Sequence, residues 1–337
     1  MSPICIWGDV SGRRLSRISI EASIDVPDPE AFAAAAREWF ARAPELLAPD
    51  VWEEAVRAEK VPFTGRPEPI WPDFDDFLDP IMLWGRIIVA PLRWHGMKVL
   101  QRRLTRKNLD WLNEELAHRP VSAMVTVLRV DANGIELPGE MTIGAGATLG
   151  RVGAPNELVP DGHLFAGHMP GGAPGEVPSD FGMDCEGYAA MARATASRGG
   201  VRYMFAGEDV MGWIAPTALP PSLGLHRIWE LEPFPDLLGY SWITLCPPSA
   251  VARFGGASAL ASTEAFWAVE EMPGGSALLQ MCERAEDYGI SQAQRAFDVL
   301  APALPPGIPK RPIDWPQEVP WLIVPEDAAS KRGRAIS

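Results

Sequence analysis

Asp161, His163 and His168 stand closest in this chain to a set of donors that could do chemistry, with an Asp-x-His-x4-His spacing. Imidazole nitrogens and a carboxylate are good ligands for zinc or iron. With one position left open, three of them make a hydrolytic or oxidative centre. The setting argues the other way. Gly144 to Gly187 is rich in glycine and proline and holds no period, so a long loop is expected there, whereas a site is held more precisely on helices and strands. Few histidines exist to reinforce the set, 5 in all. A metal-dependent hydrolase or oxygenase on this loop is the alternative reading, and the metal-free one leads.

Other routes to catalysis leave less trace. Gly144, Gly146 and Gly150 follow a predicted strand, where a dinucleotide fingerprint would begin. The third glycine comes one residue late, and Arg151 to Pro160 lacks the helical period that would set a helix N-terminus under a pyrophosphate. Gly239-Tyr240-Ser241-Trp242-Ile243 lacks the closing glycine of a nucleophile elbow. Cys5, Cys185, Cys246 and Cys282 have no short spacing between any two. They read as free buried thiols rather than a zinc knuckle, a redox pair or a disulfide framework. The sequence thus calls for no cofactor and leans away from an enzyme.

The sharpest surface feature is Trp71-Pro72-Asp73-Phe74-Asp75-Asp76-Phe77-Leu78-Asp79. Carboxylates this close repel unless they are solvated or meet a cation. Phe74 and Phe77, three apart, can anchor on one side of a helical turn. Aromatic anchors ringed by charge suit a protein-binding surface, the charge setting on-rate and partner choice. Trp71, Asp73, Phe74, Asp75, Asp76, Phe77 and Asp79 are therefore the candidate partner contacts. The alternative is a pair of core phenylalanines with a solvated acidic rim.

Charge and composition narrow the partner. Lys+Arg 30 against Asp+Glu 44 leave a net charge of −14, the wrong sign for coating nucleic acid and the right one for a basic protein. The basic run Lys98 to Lys107 reads as a solvated helix face or turn. No basic n-region with an apolar stretch opens the chain, and the apolar run Pro80 to Leu92 is short and contains Arg86. A cytoplasmic protein that touches neither membrane nor nucleic acid is expected.

The elements that must position these residues are mixed. Arg17 to Val26 alternates as a half-buried strand. Asp28-Pro29-Glu30 starts a helix to about Leu47, with Phe32, Ala36, Trp39, Phe40 and Ala43 inward. A shorter helix follows to Glu59, with Asp50 as its cap. Further elements are a strand at Leu83 to Leu92, a helix at Asn108 to His118, and strands at Val121 to Val130 and Ile135 to Ile143 joined by Asp131-Ala-Asn-Gly134. The second half carries a helix at Tyr188 to Ser197 and a strand at Tyr240 to Leu245. A helix through Phe254, strands at Phe266 to Met272 and Ser276 to Cys282 around Pro273-Gly274-Gly275, and a helix at Ser291 to Leu300 complete it. This is an α+β chain of antiparallel sheets with helices packed on one face. Its halves, each a helix followed by a hairpin, invite comparison as relatives. Boundaries are expected at residues 1–150, a junction or functional loop at 151–187, a second half at 188–305 and an extended tail at 306–337, fraying from Ala328.

Leu238-Gly239-Tyr240-Ser241-Trp242-Ile243-Thr244-Leu245, then Ala252-Arg253-Phe254-Gly255-Gly256 and Leu260, resemble the carboxy-terminal part of bacterial immunity proteins of the type VI secretion and polymorphic-toxin class. The order strand, helix ending in Gly-Gly, hairpin with a Pro-Gly-Gly turn and final helix is followed here through Phe297 to Leu304. The resemblance spans about residues 238–304. It implies a non-enzymatic protein that binds and blocks a cognate toxin. The family lends no catalytic residues. A structural or assembly subunit is the third reading.

Overall fold

The computed structural model describes residues 18–26, 28–58, 82–91, 99–130, 136–151, 158–169, 185–210, 213–214, 237–311 and 321–331. It is α+β, and the chain divides into two compact units, Ser16–Met191 and a second that contains Ala192–Ser337.

The first unit holds β1 (Ile18–Asp25), α1 (Pro29–Leu47), α2 (Pro49–Arg57), β2 (Met82–Ala90), β3 (Leu100–Arg103), α3 (Arg106–Leu116), β4 (Ser122–Val130), β5 (Glu136–Arg151) and β6 (Leu158–Met169). Its strands lie in the order β1-β6-β5-β4-β2-β3, every neighbouring pair antiparallel. Asp28 caps α1 as expected, its carboxylate accepting from the Ala31 amide at 2.7 Å. The predicted stripe Phe32, Ala36, Trp39, Phe40 and Ala43 is buried, and α1 packs on β5 and β6 while α2 and α3 pack on β2. Asp50 does not cap α2; Ala48 occupies that position, and no side chain caps the helix. Pro49, which has no amide proton, already removes one of the free donors there.

Register explains the sheet's two faces. Ile20, Ala166, Ile143, Val125 and Ile87 fall in one row across the strands, and all are buried. The adjacent row on the opposite face runs Ser19, Gly167, Thr142, Thr126, Arg86 and Arg103. The polar side of β1 was expected to face water. Instead Ser19, Glu21 and Ser23 are buried too, at 0%, 8% and 1% exposure. Alternation reports which face is apolar, not whether the polar face is covered.

Regular structure also occupies part of the loop expected between Gly144 and Gly187, since β5 continues to Arg151 and β6 occupies Leu158–Met169. Small residues such as Gly144, Ala145, Gly146 and Ala147 erase the side-chain period while leaving the backbone ladder intact. The basic run likewise holds the edge strand β3 before α3 begins. The Arg102 guanidinium lies 4.0 Å from the Trp111 ring centre, and Arg103 donates to the Ala58 carbonyl.

Gly85 in β2 is a close approach. A β-carbon there would sit 2.5 Å from Leu104 Cβ, and Leu104 cannot retreat because its amide donates to the Gly85 carbonyl at 2.7 Å. Gly85→Ala is expected to destabilise the protein by about 1–3 kcal/mol through overpacking, read as a lower denaturation midpoint in urea.

The second unit contains β7 (Val201–Val210), β8 (Trp213–Ile214), β9 (Ile243–Cys246), α5 (Pro248–Arg253), α6 (Ala257–Ser262), β10 (Ala268–Glu271), β11 (Ala277–Gln280) and α7 (Ile290–Leu300). The helix α4 (Cys185–Ser197) crosses the division between units. The strand order is β10-β11-β9-β7, with β8 on β7. β9 is buried on both faces, and Trp242 beside it is fully buried. The expected turn forms with Gly274 and Gly275 at φ 83° and 84°, which glycine adopts without strain. Gly289, not Ser291, takes the N-cap of α7, and the Gln292 side chain accepts from its amide at 3.3 Å.

Part of the predicted tail is packed rather than fraying. Leu322, Ile323, Val324 and Ala328 are buried. Lys331 reaches Asp298 at 2.6 Å and Glu326 at 3.5 Å. The Val324 amide donates to the Tyr240 hydroxyl at 3.4 Å, and burial pushes that phenol well above the ordinary tyrosine pKa.

Candidate functional site

The two residue sets singled out by the sequence fare differently. Trp71, Asp73, Phe74, Asp75, Asp76, Phe77 and Asp79 lie outside the described residues. Asp161, His163 and His168 fall on β6, in register with Asp25, Ser23 and Ile18 of β1. A strand alternates, so positions 161 and 163 share one face and position 168 belongs to the other. Among the described residues no group of three or more His, Cys, Asp or Glu is placed to hold a metal ion.

Positions 161 and 163 share their face with Ser19, Glu21 and Ser23. The Ser19 hydroxyl is buried and has no hydrogen-bond partner among the described residues. Nearby, the Tyr188 hydroxyl donates to the Ile18 carbonyl at 3.0 Å. The first unit therefore hides a band of polar backbone and hydroxyl groups beneath its polar face.

The second unit places its polar groups at an edge. Among the described residues β10 ends its sheet and pairs only with β11, with Ala268, Val269, Glu270 and Glu271 opposite Gln280, Leu279, Leu278 and Ala277. Outside that ladder, no backbone hydrogen bond to residues 267–271 occurs among the described residues. Trp267, the residue before the strand, is 62% exposed. Close to it in the sequence are the exposed acids Glu264, Glu270 and Glu271. Glu270 accepts from Arg193 of α4 at 2.8 Å, an exposed pair of small energetic weight. Glu264 and Glu271 make no ion pair among the described residues.

The position of this edge follows from the local sequence. Gly255 and Gly256, both at positive φ, end α5 and start α6. Glu264 turns the chain at φ 55°, and the Thr263 hydroxyl donates to the Leu260 carbonyl at 2.7 Å. This tight corner leads into Trp267 and β10. The Pro273-Gly274-Gly275 turn then returns the chain as β11, with the Met272 amide donating to the Ser276 carbonyl at 2.8 Å. Phe266 to Met272 was legible as a strand. That Trp267 faces outward was not, because a tryptophan beside a short strand reads as core by composition.

An exposed tryptophan offers a large, stiff contact area with one N–H to donate, while open amides and carbonyls offer directional hydrogen bonds. The carboxylates add an attractive field for a cation. Such an arrangement can bind a polypeptide; it contains no nucleophile–base pair.

Among comparisons with known proteins, no family model matches the chain, and no curated protein is similar to it in sequence. A solved structure of a Pseudomonas aeruginosa T6SS protein is similar over 90% of this chain and 79% of that one, at a TM-score of 0.46 and 11% identity. No helix among the described residues is long and apolar enough to cross a membrane.

Proposed function

We propose that this chain is a non-enzymatic binding protein, an immunity protein that binds and neutralises a cognate bacterial toxin. The observation that carries the reading is Trp267, 62% exposed beside the acidic edge of β10. It lies inside the stretch 238–304 whose motifs resemble immunity proteins. Large aromatic side chains dominate binding energy where they insert into a partner, and acidic surroundings favour a basic one. The net charge of −14 agrees with a toxin of positive sign, as one that acts on nucleic acid would be.

The segment Trp71 to Asp79 supplies a second set of contacts in this proposal, with Asp73, Asp75 and Asp76 steering association and Phe74 and Phe77 anchoring it. Replacing Asp73, Asp75 and Asp76 together with Lys is expected to slow association with the proposed cognate toxin by at least about tenfold at low salt, and to flatten its salt dependence. Stopped-flow association at several ionic strengths checks this. An unchanged rate removes these residues from the interface.

A further inference from the structure

We infer that β10 is a docking edge to which a basic, extended segment of a protein partner adds as a further strand, with Trp267 seated against that segment. The inference rests on the binding role proposed above and specifies how the partner is held.

Geometry supplies the first argument. A strand with a neighbour on one side only leaves a row of amides and carbonyls directed outward, and an incoming extended chain satisfies them as a ladder strand would. Ala268–Glu271 is such a strand: it pairs with β11, and its backbone makes no other hydrogen bond among the described residues. It is held rigidly, because β11 is itself paired to β9 and β9 is buried throughout. A rigid acceptor edge spares the entropy of ordering it on binding.

Trp267 supplies the second. Edge strands are commonly guarded against unwanted pairing by charge, and Glu270 and Glu271 alone would read as guards. A tryptophan 62% exposed at the head of the same strand does the reverse, since it leaves apolar surface at the point where another chain could join.

Charge selects the occupant. Glu264, Glu270 and Glu271 are exposed, and Arg193 offsets only Glu270. Lysines or arginines at alternate positions of an added strand lie on one face of the sheet, and there they would meet Glu271, on the same face as position 267, or Glu270 on the other, as cross-strand pairs. A second copy of this chain fits poorly. Two antiparallel β10 edges paired in full would set Glu270 opposite Val269 and Glu271 opposite Ala268, which crowds four carboxylates into one short ladder with no cation between them, and charges of one sign repel.

The test is amide hydrogen exchange on the full chain with two blocked peptides, Lys-Val-Lys-Val-Lys-Val and Glu-Val-Glu-Val-Glu-Val. The basic peptide is expected to slow exchange across residues 268–271 by about tenfold or more, as a few added backbone hydrogen bonds require. The acidic peptide should leave it unchanged. The double variant Glu270→Lys and Glu271→Lys should reverse that preference, and Trp267→Ser should weaken the protection. Both changes are at exposed positions, so the fold persists and the readout survives.

No protection by the basic peptide, or equal protection by both, overturns the inference. So does concentration-dependent dimerisation that protects 268–271 without peptide, which would make a second copy the occupant. A third arm uses the candidate toxin, the product of the adjoining reading frame. Toxin that binds tightly but protects only other segments overturns strand addition and leaves the immunity role standing. Peptide protection with no toxin binding supports the docking edge and removes the immunity role.

Discussion

Trp242→Ala is expected to destabilise the protein by about 3–5 kcal/mol, a large share of the about 5–15 kcal/mol by which folded proteins are stable. Trp242 is fully buried, and it ties two strands of the unit together through both ends of its residue. Its indole N–H donates to the Cys282 carbonyl at 2.8 Å, and its own carbonyl accepts from the Met281 amide at 2.8 Å. Truncation leaves a cavity the size of an indole where β9 meets the end of β11. Trp242→Phe separates packing from hydrogen bonding. The Cys282 carbonyl keeps the Gln280 side-chain donor at 3.1 Å, so losing the indole N–H should add only about 1 kcal/mol to the packing loss. Urea denaturation followed by circular dichroism reads both. An alanine variant within about 1 kcal/mol of the parent contradicts this account of the core.

Trp267→Ala is expected to do the opposite. Because the side chain is 62% exposed, its removal should leave the denaturation midpoint within error of the parent. Toxin binding should weaken by about 30-fold or more, as for an aromatic hot spot worth at least 2 kcal/mol. The loss should appear in the dissociation rate, since short-range contacts act after encounter. Charge changes at Asp73, Asp75 and Asp76 should act on the association rate instead. Surface plasmon resonance resolves the two. A Trp267→Ala variant that binds like the parent excludes β10 from the interface.

How much of this could be read from residues alone depends on the element. α1 was legible to its cap because Asp28, Pro29 and the stripe from Phe32 to Ala43 each signal the same helix. β9 to β11 were legible because Pro273-Gly274-Gly275 admits little but a turn. β6 was not. Pro160, Gly162, Ala166 and Gly167 carry no apolar alternation, and the strand is specified by its partners β1 and β5 rather than by its own side chains. The covered polar face of β1 was hidden for a related reason, since Ser19, Glu21 and Ser23 alternate whether or not anything lies over them. β3 was misread because Gln101, Arg102 and Arg103 look like a solvated helix face. Edge strands accept the same residues, and the Arg102 guanidinium here stacks on Trp111.

The candidate site divides the same way. Asp161, His163 and His168 were grouped by their spacing in the sequence, and the structure places their positions on β6. The resemblance over residues 238–304 lies in the unit for which a binding surface is proposed but names none of the proposed contact residues. Trp267 emerges only once its exposure is known, next to an edge strand whose order in the sheet no local pattern encodes.

The most direct measurement is survival of cells that produce the candidate toxin, the product of whichever reading frame adjoins the gene for this chain. With the chain co-produced, growth should return to the level of cells without toxin, and Trp267→Ala should restore it only in part while accumulating to the same level as the parent protein. Equal killing with and without the chain, at matched toxin and chain levels, contradicts the immunity role.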